Sequence, residues 1–144
     1  MTSSLLAEKK SHSEGDTAKI AEEFNSYFRQ GDVVSVNGNL GAGKTFFVKC
    51  IGHLHGIDDI KSPTFTLVNI HTGDTVIQHL DFYRINYEKE LTDIGINEIM
   101  AADYAITFIE WGVLFPAVLP EQYYIIEIEH SNETRIFRLY KHEK

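Results

Sequence analysis

The sequence predicts an α/β domain of three layers, with helices packed on a central mixed, partly antiparallel sheet. Three observations predict it. Residues 33–51 read as strand, glycine-rich loop and helix in direct succession. Residues 105–109 form a short apolar run ending in Glu110-Trp111, the pattern of a buried central strand. Two further pairs of segments, 65–71 with 75–80 and 123–129 with 135–140, read as hairpins. Helices and hairpins around a strand–loop–helix unit place the chain in the mixed class.

In chain order, residues 1–13 are polar apart from Leu5 and Leu6 and are expected to fray. From Glu14 to Gln30, Ile20, Phe24, Tyr27 and Phe28 recur at helical spacing, and Gly31-Asp32 ends that helix. Residues 33–37 read as a buried strand. The helix after the glycine-rich loop runs to about His55 and stops at Gly56. Ser62-Pro63-Thr64 is a turn, and Thr72-Gly73-Asp74 joins the first hairpin. Residues 88–102 carry Leu91, Ile94, Ile96, Ile99 and Met100, as one or two short helices broken near Gly95 would. Pro116 and Pro120 punctuate the next loop. The last two segments alternate apolar and polar about a turn at Ser131-Asn132-Glu133, which predicts a terminal hairpin with one wet face.

Composition bounds the function. The chain has 144 residues, 43% hydrophobic and 24% charged, enough for one domain with a real core. Its formal net charge of −8 disfavours tight direct binding of a polyphosphate backbone. The single cysteine, Cys50, excludes disulfides within the chain and a cysteine-rich metal site. No stretch suits a signal peptide or a membrane span, so a cytoplasmic location is the expectation.

The loop itself specifies chemistry. Residues 38–45 read Gly-Asn-Leu-Gly-Ala-Gly-Lys-Thr, the pattern G-x-x-x-x-G-K-[ST] with every fixed position filled. Glycines let the backbone wrap a phosphate chain and turn successive N–H groups inward. Lys44 can reach the β- and γ-phosphates, the Thr45 hydroxyl can sit on Mg²⁺, and the following helix adds the positive end of its dipole. The candidate nucleotide-binding segment is Asn39, Leu40, Gly41, Ala42, Gly43, Lys44, Thr45 and Phe46. The fold class is therefore a three-layer P-loop NTPase domain spanning 1–144, with its ligand at the carboxyl ends of the central strands.

Such a site needs a second carboxylate for the metal shell. Glu110 and Asp81 each follow an apolar strand segment, and the two could divide holding the metal and orienting a water. Alternatively, Asp81 pairs with Arg84. Thr64 lies where a γ-phosphate-sensing loop is expected, and Trp111 lines the site or packs in the core. His79 shares a strand face with Asp81, but no histidine spacing suits a metal site. An Asp-x-x-Gly switch, an Asn-Lys-x-Asp guanine reader and an arginine-rich lid are all missing from the sequence. Intrinsic hydrolysis is then expected to be slow and open to control by a partner's arginine.

Taken in order, Gly38–Thr45, Ser62-Pro-Thr-Phe-Thr-Leu-Val68, Leu80-Asp-Phe-Tyr-Arg84, Leu91-Thr-Asp-Ile-Gly95 and Ile109-Glu-Trp111 resemble the bacterial TsaE (YjeE) family over about residues 14–140. The resemblance implies an ATPase required for threonylcarbamoyl modification of adenosine in tRNA. It implies Mg²⁺ and ATP, and two partners, TsaD and TsaB, with tRNA engaged through the complex. It puts phosphate on Gly41–Thr45, Mg²⁺ at Thr45 and Glu110, catalytic roles on Lys44, Asp81 and Glu110, a switch-like segment at Thr64, and functional importance on Trp111. Three positions depart from the family pattern: Asn39 where Asp is common, Leu80 where Phe is common, and Gly112 where Pro commonly follows Glu-Trp. A small-molecule kinase and a non-catalytic nucleotide switch are the alternative readings.

Overall fold

In a computed structural model that describes residues 2–39, 41–61 and 67–143, the chain folds as seven strands in one sheet with helices on both faces. The strands are β1 (Thr2–Ser11), β2 (Val33–Gly38), β3 (Val68–Thr72), β4 (Val76–Asp81), β5 (Ala105–Glu110), β6 (Tyr123–Ser131) and β7 (Thr134–Glu143). The helices are α1 (Glu14–Asn25), α2 (Lys44–Leu54), α3 (Glu88–Asp93) and α4 (Ile96–Met100), with short 3₁₀ turns at Gly112–Leu114 and Pro116–Val118. Strand order is β1-β7-β6-β2-β5-β4-β3. The central β6, β2, β5 and β4 are parallel, while β7, β1 and β3 add antiparallel edges. The mixed, partly antiparallel sheet expected from the sequence is the one observed.

Two cores sit on the two faces because strand side chains alternate. Val34 and Val36 of β2, Ile106 and Phe108 of β5, and Ile126 and Ile128 of β6 meet Phe24 of α1 and Phe47, Val48 and Ile51 of α2. On the other face, Val33, Leu80 and Ile109 meet Leu91 of α3, Ile96 of α4 and Leu119. Each large apolar side chain buried this way contributes about 1.5–3 kcal/mol. β5 is buried at all six positions, as its apolar run predicts.

Two expectations change. Residues 2–11 do not fray; they form β1, paired antiparallel with β7 from Thr2↔Glu143 to Ser11↔Arg135. Hydrogen bonding to the free edge of the terminal hairpin orders them, and their side chains stay exposed up to Ser11, apart from Ala7, which is half-buried. That is why they look polar in the sequence. The first helix also ends at Asn25 instead of Gln30, so Phe28 reaches the core from a turn. Its start is set by Ser13, whose Oγ accepts the Asp16 N–H at 3.0 Å. Among the described residues, no helix is long and apolar enough to cross a membrane.

Candidate active site

The glycine-rich loop leaves β2 at its carboxyl end and enters α2. A Cβ on Gly38 would lie 2.8 Å from the Ile128 carbonyl oxygen, so that position admits only glycine. Gly43 caps α2 at φ 103°, a left-handed conformation that side chains resist. With the loop held this way, Lys44 is 6% exposed and its Nζ donates to the Gly38 carbonyl at 2.7 Å and the Asn39 carbonyl at 3.0 Å. Nζ also stands 4.8 Å from the centre of the Trp111 ring. Burial lowers the Lys44 pKa, against the opposing pull of Glu110 and Asp81.

Parallel register brings the carboxylates together. Asp81 ends β4 and Glu110 ends β5, directly opposite each other and on the face that α2 covers. The Thr45 hydroxyl donates to Glu110 Oε2 at 2.9 Å, joining the first turn of α2 to the end of β5. Asp81 Oδ1 accepts the Tyr83 N–H at 2.9 Å. Desolvation raises the Asp81 pKa above the usual carboxylate range; the Tyr83 N–H opposes this and the Glu110 charge adds to it. Among the described residues Arg84 makes no ion pair with Asp81; its side chain is exposed. The alternative of an Asp81–Arg84 pair is therefore set aside.

Two neighbouring carboxylates face one ammonium here, an excess of negative charge that suits a divalent cation. Thr45 and Glu110 offer hard oxygen donors of the kind Mg²⁺ takes. Among the described residues no group of three or more His, Cys, Asp or Glu could hold an ion alone.

Trp111 follows β5 at φ 64°, its N–H bonded to the Val36 carbonyl at 3.0 Å and its ring 5.4 Å from that of Tyr83. A residue before proline is driven to extended backbone. Gly112 leaves Trp111 free to take the left-handed turn that sets its ring beside Lys44. The departure from Pro at this position is thus matched to the local backbone.

Lys44, Thr45, Asp81, Glu110 and Trp111 converge on the ends of β2, β4 and β5. Asn39 contributes its carbonyl to Lys44, whereas Phe46 lines a cleft on the opposite side of the loop. Leu40 and Thr64 lie outside the described residues. Sequence reasoning missed two residues. His79 is fully buried and its Nε2 lies 2.7 Å from Glu110 Oε2. An ionised carboxylate can only accept, so Nε2 carries the proton. Nδ1 is buried without a hydrogen-bond partner. His79 is therefore a donor fixing the carboxylate. Its shared face with Asp81 was the one signal available. Arg135 of β7 donates from Nε to the Ala42 carbonyl at 2.9 Å, bracing the loop from outside; nothing in the linear sequence points to it.

Comparison with known proteins identifies the family and the fold. The family model described as threonylcarbamoyl adenosine biosynthesis protein TsaE matches residues 11–137. The tRNA threonylcarbamoyladenosine biosynthesis protein TsaE of Treponema pallidum is 38% identical over 112 residues, 77% of this chain and 82% of that protein. Its namesake from Bacillus subtilis is 33% identical over 120 residues, 82% and 74% of the two chains. The crystal structure of Bacillus subtilis YdiB superposes with a TM-score of 0.80 at 25% identity, covering 97% of this chain and 87% of that one. With the family model spanning most of its length, the chain belongs to the TsaE family.

Proposed function

We propose that this protein is a Mg²⁺-dependent ATP hydrolase that supports threonylcarbamoyladenosine modification of tRNA by acting on a TsaD–TsaB complex. The observation that carries the reading is the Thr45–Glu110 hydrogen bond of 2.9 Å, with Asp81 in register beside it. It joins the first turn of α2 to one strand-end carboxylate, with a second paired beside it, an arrangement suited to nucleotide hydrolysis.

In this reading the N–H groups of the loop bind the phosphates, and Lys44 exchanges its loop carbonyls for the β- and γ-phosphate oxygens. Thr45 and Glu110 hold the metal, which would neutralise charge on the phosphates when bound. His79 keeps Glu110 aimed at Thr45. Asp81 orients a water; the water oxygen bonds to the γ-phosphorus, the bond to the bridging oxygen breaks, ADP leaves, and the water proton passes towards Asp81. Among the described residues no arginine touches Lys44, Asp81 or Glu110, so turnover by the chain alone is slow. A cation supplied in trans raises such rates by about 10³–10⁵.

Phosphate release from Mg²⁺-ATP tests the reading, with the chain alone and with a TsaD–TsaB pair. Slow release that rises with the pair and vanishes in Lys44→Ala is expected. ATP binding with no release in either case would replace hydrolysis with a switch or a kinase.

A further inference from the structure

Behind the strand-end carboxylates, the sheet carries two ring nitrogens that hydrolysis leaves unused. Nδ1 of His79 and Nε2 of His71 are buried and make no hydrogen bond, the two such side-chain atoms among the described residues. A buried polar atom without a partner costs stability, so each calls for one. We propose that one ordered water bridges these two nitrogens and makes His71 a positioning residue, acting on Glu110 through His79. The inference rests on the reading of Glu110 as a carboxylate of a hydrolytic site.

Three observations carry it. The first is register. Asn69 of β3 pairs with His79 of β4, and His71 pairs with Ile77. Residues opposite each other or two apart share a face, so His71 and His79 project from the same side as diagonal neighbours. Such neighbours stand roughly 7–8 Å apart, a gap that two imidazole rings and one water can close. The second is proximity. Burial lowers the His71 pKa; Asp59 opposes this and His79 adds to it, so the two rings lie close enough to sense each other. The third is hydrogen-bonding capacity. His79 Nε2 is committed to Glu110 Oε2 at 2.7 Å, so Nδ1 is the ring nitrogen left to anchor the imidazole. A water both donates and accepts, and so meets His71 Nε2 whichever nitrogen of that ring holds the proton. A metal ion is the poorer occupant, because no group of three His, Cys, Asp or Glu that could hold one occurs among the described residues. The chain so formed runs from His71 through the water to His79, Glu110 and Thr45, its last link the hydrogen bond of 2.9 Å. Since β3 is an edge strand and the His71 ring is partly exposed, a residue at the rim of the sheet reaches the carboxylate.

Imidazole NMR of the ¹⁵N-labelled full chain tests this. In the wild type, the ring protons of His79 should show a cross-peak to a long-lived water. His71→Phe, which fills the volume but removes the nitrogen, should abolish that cross-peak and move the His79 Nδ1 resonance. The Mg²⁺ concentration for half-maximal phosphate release should then rise about threefold to tenfold, less than the roughly 10–100-fold of losing a direct partner of the carboxylate. His71→Gln, which keeps a polar group within reach of the water, should recover most of both signals. The wild-type cross-peak needs no variant, so a substitution that fails to fold leaves the test in force. A wild type without the cross-peak, an Nδ1 resonance indifferent to His71→Phe, or an unchanged Mg²⁺ requirement would overturn the positioning role. A wild type that shows the cross-peak and the coupled resonance but releases no phosphate would overturn the hydrolytic reading instead and uphold the link between His71 and His79.

Discussion

The two flanks of β2 use similar strands for different ends. On the β5–β4 flank the β2–β5 and β5–β4 pairings are parallel, these strands are short and buried, and their last residues are charged: Glu110 and Asp81, backed by His79. On the β6–β7–β1 flank the hairpin and the N-terminal strand are antiparallel, nine or ten residues long, and wet on one side. The difference teaches where precision resides. Parallel register sets two carboxylates opposite each other and delivers a hydrogen-bonded Thr45–Glu110–His79 chain. The antiparallel flank braces the loop from outside through Arg135 and widens the sheet.

That contrast can be broken by substitution. The largest effect is expected from Lys44→Ala, which removes the cation that both carboxylates face; phosphate release should fall by about 10³ or more, as loss of a charge-stabilising group does. Asp81→Asn should lower kcat by about 10²–10⁴ with nucleotide binding retained. Because desolvation raises the Asp81 pKa and the proposed base is its ionised form, wild-type turnover should decline on acidification at a pH above the ordinary carboxylate range. That acid limb should be missing from the residual activity of Asp81→Asn. If both profiles fall together, Asp81 is not the titrating group.

His79 tests the coupling within the parallel flank. His79→Leu should raise the Mg²⁺ concentration needed for half-maximal activity by about 10–100-fold, the usual cost of losing a partner of a metal-binding carboxylate. His79→Gln, which keeps a donor, should recover part of it. An unchanged Mg²⁺ requirement would demote the histidine to packing.

The smallest effect belongs to the other flank. Deleting residues 2–9 removes mostly exposed side chains and leaves Ser11 in place to meet Thr17. Turnover should stay within about threefold and the melting temperature should drop by about 5 °C or less, since little apolar area is uncovered. A collapse of activity would mean that β1 reaches the site through α1.

Much of this was legible before any coordinates. The loop declares itself because each fixed residue answers a local demand: glycine for left-handed or crowded backbone, lysine and threonine for phosphate and metal. The buried run of β5 and the break at Gly95 are likewise local, and Gly95 sits at φ 79° between α3 and α4. β1 was illegible because its order comes from edge pairing across some 130 residues of chain, and no side-chain pattern records it.

The sequence by itself determined the strand–loop–helix unit and the two carboxylates at strand ends, because each follows from residues adjacent in the chain. Only the tertiary structure decided which partners they meet. Placing β4 beside β5 in parallel register set Asp81 against Glu110 and turned His79 from an isolated histidine into the donor that holds that carboxylate. Folding the terminal hairpin beside β2 brought Arg135 to the Ala42 carbonyl, 93 residues away in the chain. Such contacts depend on strand order and register, and these are set by the packing of both faces of the sheet at once.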